Sequence, residues 1–165
     1  MADYVLYLEV KGYNLKGRCQ FPKYKDWFEV DTIAFGVSNP GERGRPLGTA
    51  TAADFTFSMP ASQVDADLLQ ACASGADLVK CEVHLLTTVG EGAKVWQIYM
   101  FEEGFVSGWH ISGTGGRPHV SVSINYRKFS AKTYWQEEGK DPKEPHDGGW
   151  DLKENKKYMG SPKVT

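Results

Sequence analysis

The sequence has no excess of basic charge. Lysine and arginine number 19 against 21 aspartates and glutamates, for a net charge of −2. Phosphate contacts need a clear basic surplus, so nucleic acid is not an expected partner. Long apolar runs are missing as well. No stretch approaches the ~20 residues of a membrane-spanning helix, so membrane insertion is not expected. Cysteine is scarce, with Cys19, Cys72 and Cys81 far apart and odd in number. That is not a disulfide framework, and a reducing compartment during folding is the simplest reading. The opening Met1-Ala2-Asp3-Tyr4 has no basic n-region with an apolar run behind it. Export through a cleaved signal peptide is therefore not expected. Repeats of solenoid type are absent too.

Catalytic signatures are equally thin. There is no Walker loop and no G-x-S-x-G elbow. Gly113-Thr114-Gly115-Gly116 lacks the Lys and the following helix of a phosphate cradle, and it reads as a flexible inter-strand loop. His84, His110, His119 and His146 lack metal-ligand spacing. His84 and His119 sit on polar strand phases, so solvated surface histidines are expected. Cys72 and Cys81 fall on apolar phases and read as small buried hydrophobes. Cys19 beside Arg18 reads as an ordinary exposed thiol. Glu102-Glu103 and Glu137-Glu138 are adjacent in sequence, and strand neighbours point to opposite faces, so neither builds an acid/base pair. No catalytic, cofactor or metal site is expected, and the chain reads as a non-enzyme.

What is present favours strands and turns. Aromatics make up 13% of the chain, beside 18 glycines and 8 prolines. Tyr4 to Val10 alternates and reads as a half-buried strand. Lys11 to Lys25 reads as a loop. In Trp27 to Val37 the apolar phase changes between Val30 and Ile33, which predicts a bend where a strand passes between sheets. Phe55, Phe57 and Met59 mark another strand. The one strong helix signal spans about 63–74. Ser62 is its expected N-cap, Val64, Leu68, Ala71 and Cys72 form its apolar stripe, and Gly75 is the C′ residue. Val79 to Leu85 alternates, Gly90-Glu91-Gly92 reads as a turn, and Val95 to Phe101 is apolar on both phases. Val120 to Tyr126 alternates again, and Phe129 to Trp135 reads as a last strand. The final 30 residues hold six Lys against seven Asp or Glu and three Pro, the composition of a charged extension on which Trp150 and Leu152 dock. The expected architecture is all-β, a small β-barrel or two-sheet sandwich with one docked α-helix. The expected organisation is a barrel domain over 1–135 and an extension over 136–165.

One segment fits no core. Ser38 to Thr49 reads SNPGERGRPLGT. Structureless loops of about twelve residues are uncommon in compact domains and are usually functional or flexible. Arg43 and Arg45 within it suit an anion or a partner's carboxylates, but a charged loop in solvent needs no partner, and on the residues alone that is the simpler reading.

The stretch Leu68-Leu69-Gln70-Ala71-Cys72-Ala73-Ser74-Gly75 resembles the helix end of the Hcp family, the haemolysin-coregulated proteins of type VI secretion systems. MADYVLYLEVKG resembles that family's first strand, and Phe35-Gly36-Val37-Ser38 its aromatic-Gly step before a long loop. Ala53 to Phe57, Phe101 to Ser107, Ser112 to Gly116 and Val120 to Phe129 resemble its later strands, and Gly149-Trp150-Asp151-Leu152 its C-terminus. Gly17-Arg18-Cys19 departs from the Gly-Glu-Ser often found there, and the long loop is richer in Pro and charge than in many members. The resemblance implies a phage tail-tube-like fold, homohexameric rings and stacking into the inner tube of a contractile sheath tipped by a spike protein. It implies expulsion by sheath contraction, with effector proteins carried in the lumen. It further implies synthesis in the cytoplasm of a Gram-negative bacterium and secretion without a cleaved signal peptide. A heterologous contact that closes makes rings, and stacking makes filaments. On that reading Glu42, Arg43 and Arg45 are subunit or ring contacts. The alternatives are a phage-type tail-tube protein and a monomeric β-barrel carrier or enzyme.

Overall fold

The computed structural model describes residues 4–89, 92–135, 137 and 140–163. Strand β1 (Tyr4–Val10) buries Leu6, Leu8 and Val10 on the barrel side and leaves Glu9 exposed. Its other face is not open as the alternation suggested. Val5 is also buried, because the Lys11–Lys25 connection folds back over it. A single 3-10 turn at Pro22–Tyr24 sets Tyr24 and Trp27 onto Val5 and Leu86. Those two rings meet edge to face at 4.9 Å.

The expected bend is present. β2 (Phe28–Val30) pairs with β1, and β3 (Thr32–Ala34) pairs with the later strand β8. The switch of partner at Asp31 is the physical reason for the phase change. Beyond β3 come four two-residue strands: β4 (Val37–Ser38), β5 (Gly41–Glu42), β6 (Arg45–Pro46) and β7 (Thr51–Ala52). β8 (Phe55–Pro60) returns to the barrel and buries Phe55, Phe57 and Met59.

The helix α1 (Asp65–Ser74) begins three residues after Ser62, which is not its N-cap. Val64 holds the cap position, with no side-chain cap bond. The Asp65 carboxylate instead accepts the Ser62 N–H at 2.9 Å, which reverses the expected donor and acceptor. Val64, Leu68 and Ala71 are buried against the barrel, and Cys72 is half-buried. Gly75 ends the helix at φ 66, and the following backbone N–H groups reach the Ala71 and Cys72 carbonyls.

Three long strands follow: β9 (Asp77–Val89), β10 (Gly92–Ser112) and β11 (His119–Trp135). The expected turn at Gly90-Glu91 lies outside the described residues. A bulge at the start of β9 puts Leu78, not Val79, opposite Val10, so Val79 is exposed. Phe129 to Trp135 is not a separate strand but the second half of β11. That half pairs with β12 (Lys143–Asp151), and the first half pairs with β8. The sheet therefore closes on itself. Its circuit runs β1, β2–β3, β8, β11, β10, β9 and back to β1. A short strand β13 (Lys156–Lys157) pairs with the end of β12.

Side chains fill the inside of that circuit. Phe101 lies at its centre, 4.5 Å from the Phe55 ring and 4.7 Å from Tyr126. Phe35 meets Phe101 edge to face at 5.2 Å. Val83, Val122 and Ile124 are fully buried around them. Each such side chain contributes about 1.5–3 kcal/mol of burial.

Candidate functional site

The segment singled out in the sequence is a projecting arm. β4 pairs with β7 at its base, where the Ser38 and Thr51 hydroxyls meet at 2.8 Å. β5 pairs with β6 at its tip. Arg43 at φ 49 and Gly44 at φ 83 form the turn between them. Positive φ at both central positions is the turn whose twist matches a two-residue hairpin. The expected structureless loop is thus a hairpin, ordered by its turn chemistry. Every residue from 36 to 49 is exposed, and Leu47 is 65% exposed. Glu42, Arg43 and Arg45 stand together at the tip. None of them has an ion pair or side-chain hydrogen bond with a described residue. A two-stranded hairpin is marginal alone, and residues 36–49 of this one stay exposed among the described residues.

The histidines and cysteines do not converge. Among the described residues, no group of three or more His, Cys, Asp or Glu is placed to hold a metal. His119 is exposed and faces Asp31 at 3.3 Å. The three cysteines are free. Cys81 is buried as expected, and burial pushes its thiol above the ordinary range. Cys19 is half-buried rather than exposed, and burial raises its thiol too.

His84 is the clearest departure from the sequence reading. It is 0% exposed, as is Glu82. His84 Nε2 lies 2.5 Å from Glu82 Oε2, and His84 Nδ1 lies 3.0 Å from the Tyr24 hydroxyl. Burial, with Glu82 nearby, pushes the Tyr24 phenol upward, so it remains an O–H donor. His84 and Glu82 lie on the outer face of β9, covered by Tyr24 and Trp27 from one side. The C-terminal segment covers them from the other. Gly160 N–H donates to Ser130 Oγ at 3.1 Å, the Lys80 ammonium donates to the Ser161 carbonyl, and Lys163 N–H donates to Glu82 at 2.9 Å. Residues 158–163 form a strap across β12, β11, β10 and β9. The available signal was Glu82 and His84 on one phase beside Leu85-Leu86, with two large rings in the preceding loop still needing cover.

A second polar cluster holds β12 in place. Asp151 is 2% exposed and receives Arg127 through both carboxylate oxygens at 3.2 and 3.1 Å. The Lys153 and Glu154 N–H groups add to Asp151 Oδ1. The Arg127 guanidinium holds this carboxyl below its usual range. Glu103 pairs with Arg127 from β10 at 3.0 Å.

Compared with models of known families, residues 7–133 match the family described as type VI secretion system effector, Hcp. The chain belongs to the Hcp family. Solved structures agree on the fold. A structure titled as a type six secretion system protein has a TM-score of 0.83 at 24% identity, covering 96% of this chain and 100% of that one. Hcp1 from Salmonella typhimurium has a TM-score of 0.73 at 18% identity, with coverage of 96% and 100%. The secreted protein Hcp3 from Pseudomonas aeruginosa has a TM-score of 0.69 at 14% identity, with coverage of 90% and 99%. No curated protein matches the sequence. The all-β barrel with one docked helix is thus the Hcp fold, and no described helix is long and apolar enough to cross a membrane.

Proposed function

We propose that this Hcp-family chain is a structural subunit of a secretion tube, closing as a homohexameric ring and stacking ring on ring. The observation that carries the reading is the arm. It has a defined hairpin geometry, an exposed course and three charges without a partner among the described residues. Such an element gains its contacts from a neighbouring copy. The filled barrel interior supports a structural role over a carrier's, since Phe55, Phe57 and Phe101 occupy the space a ligand would need. In this reading Glu42, Arg43 and Arg45 are inter-subunit residues. The contractile sheath surrounds the tube, a spike protein tips it, and effector proteins ride in its lumen. The subunit is made in the cytoplasm of a Gram-negative cell and leaves through the machine itself. Its role is mechanical rather than catalytic.

Light scattering on a sizing column, followed by negative-stain images of the peak, tests this directly. The expected result is a six-fold mass and ring-shaped particles. A strict monomer at every concentration, together with normal secretion of an arm-deleted variant, would remove the arm from assembly and with it the basis of the reading.

A further inference from the structure

The strap over residues 158–163 follows two rows of side chains that cross the sheet. Strand pairing sets Ser130, Met100, Glu82 and Tyr7 opposite one another on β11, β10, β9 and β1. Ser130, Met100 and Glu82 are buried. Two residues along each strand comes a charged row in the same register, Lys128, Glu102, Lys80 and Glu9. Strand side chains repeat every second residue, so both rows share one face.

The strap meets these rows through polar groups. The Tyr158 hydroxyl donates to Glu102, with the Lys128 ammonium 4.8 Å from the centre of its ring. Gly160 N–H donates to Ser130 Oγ, and a Cβ there would stand 3.6 Å from Met100 Sδ. The Lys80 ammonium donates to the Ser161 carbonyl. Lys163 N–H donates to both Glu82 oxygens at 2.9 and 3.1 Å, and its ammonium lies 4.1 Å from the Tyr7 ring centre. Little apolar burial backs these bonds. Within the strap only Gly160 is buried, and Met159 is 39% exposed. The barrel is the reverse, with Phe55, Phe101 and Tyr126 packed at its centre. Hydrogen bonds to an ionised acceptor are the strong ones, so charge holds the strap while burial holds the barrel.

The two carboxylates differ. Glu82 has the Lys80 ammonium at 3.3 Å and His84 at 2.5 Å. Glu102 is half-buried and has no cation within ion-pair distance among the described residues. Lys80 and Lys128 stand opposite it in register, but their ammonium groups pair with Glu82 and Glu103. Burial, with Glu102 beside it, pushes the Tyr158 phenol upward, so it keeps its proton and donates.

We propose that the strap is a latch held by the charge of Glu102, which opens on acidification while the barrel stays closed. Opening uncovers Met100, Ser130 and the Glu82–His84 pair. In the open strap Glu102 meets water, where a glutamate takes up its proton at about pH 4.3. The open state then binds more protons than the closed one, so closure is present above that pH and weakens as pH falls through it. The groups facing Glu102 are Tyr158 from the strap, Lys80 from β9, Lys128 from β11 and Glu103 on its own strand. The lysines and the phenol keep their protons in this range. Glu103 is held by Arg127 at 3.0 Å and Lys128 at 3.4 Å. The latch does not depend on the tube-subunit reading.

Hydrogen exchange read by NMR, corrected for the pH dependence of the intrinsic rate, tests this. Between pH 7 and pH 4 the Gly160 and Lys163 amides are expected to lose protection by roughly ten-fold, while those of β1 and β8 keep theirs. E102Q keeps the shape and removes the charge. It is expected to show the open strap already at pH 7, with little further change on acidification. Y158F, which removes the donor and leaves the carboxylate, is expected to open at pH 7 as well. A strap that stays protected at pH 4, or that loses protection only together with β1 and β8, would overturn the latch. If E102Q stays closed at pH 7 and still opens in acid, the assignment to Glu102 fails.

Discussion

At the scale of single residues, the two buried polar clusters decide most. His84 links a carboxylate to a phenol where water does not reach. His84→Ala leaves Glu82 and Tyr24 short of a partner, which is expected to cost about 3 kcal/mol, read as a lower urea midpoint. Asp151 gives a pH dependence of definite sign. Its folded carboxyl is held below the ordinary value, first by the hydrogen bonds from Arg127. Its contribution is therefore fully present above about pH 4, where the unfolded carboxyl is ionised, and is lost as pH falls through the depressed folded value. Asp151→Asn is expected to lower stability at pH 7 and to flatten the decline below pH 4, as followed by melts across that range. An unchanged acid limb would show that other carboxylates dominate it.

At the scale of elements, the strap and the arm behave oppositely. The strap is fitted closely to the sheet. A Cβ on Gly160 would stand 2.9 Å from Ser130 Oγ and 3.1 Å from Glu102 Oε2. Gly160→Val is expected to lift residues 158–163 off the sheet and bring solvent to Glu82. The outcome is faster hydrogen exchange along the outer face of β9 and a lower melting temperature. The arm bears no such load. Gly44→Val puts a β-branched residue at φ 83 and should disorder the tip. Since the tip touches no core, the melt is expected to stay within about 0.5 kcal/mol of the parent. Oligomer formation is where the defect should appear, and a melt that falls with the tip would show the arm to be part of the fold.

For the whole molecule, the closed circuit of strands explains how a chain with so many glycines and prolines stays rigid. Closure removes the sheet edges along the barrel and leaves β12 with an outer edge carrying Lys143, Glu144 and Pro145. Charges and proline on an edge discourage pairing with another chain. In the proposed tube, assembly through the arm is instead polar, from a segment exposed before docking. Raising ionic strength toward 1 M shrinks the Debye length to about 3 Å, so it is expected to slow ring formation without unfolding the subunit. Light scattering as a function of salt reads this, and salt-insensitive assembly would point to an apolar contact.

The local patterns of the chain were enough for the elements that bury one face. Alternation set β1, β8 and the first half of β11, and the apolar stripe with Gly75 set the helix. The change of phase after Val30 even marked the switch of strand partner at Asp31. Charge and turn residues marked the arm, though not its hairpin order, which needed positive φ at both Arg43 and Gly44. Long-range contacts decided the remainder. His84 and Glu82 look like solvent-facing residues until the Pro22–Tyr24 turn and the C-terminal strap are laid over them. The charged composition of residues 136–165 suggested an extension, while pairing with β11 and the Arg127–Asp151 clamp hold residues 143–151 of it against the sheet. A surface cleft beside Met59 and Pro60 joins residues from four separated segments, 16–18, 28–31, 59–63 and 117, and no local pattern brings those together. Periodicity reports which way a side chain points within its own strand. What lies on the other side of that strand is set only when the barrel closes.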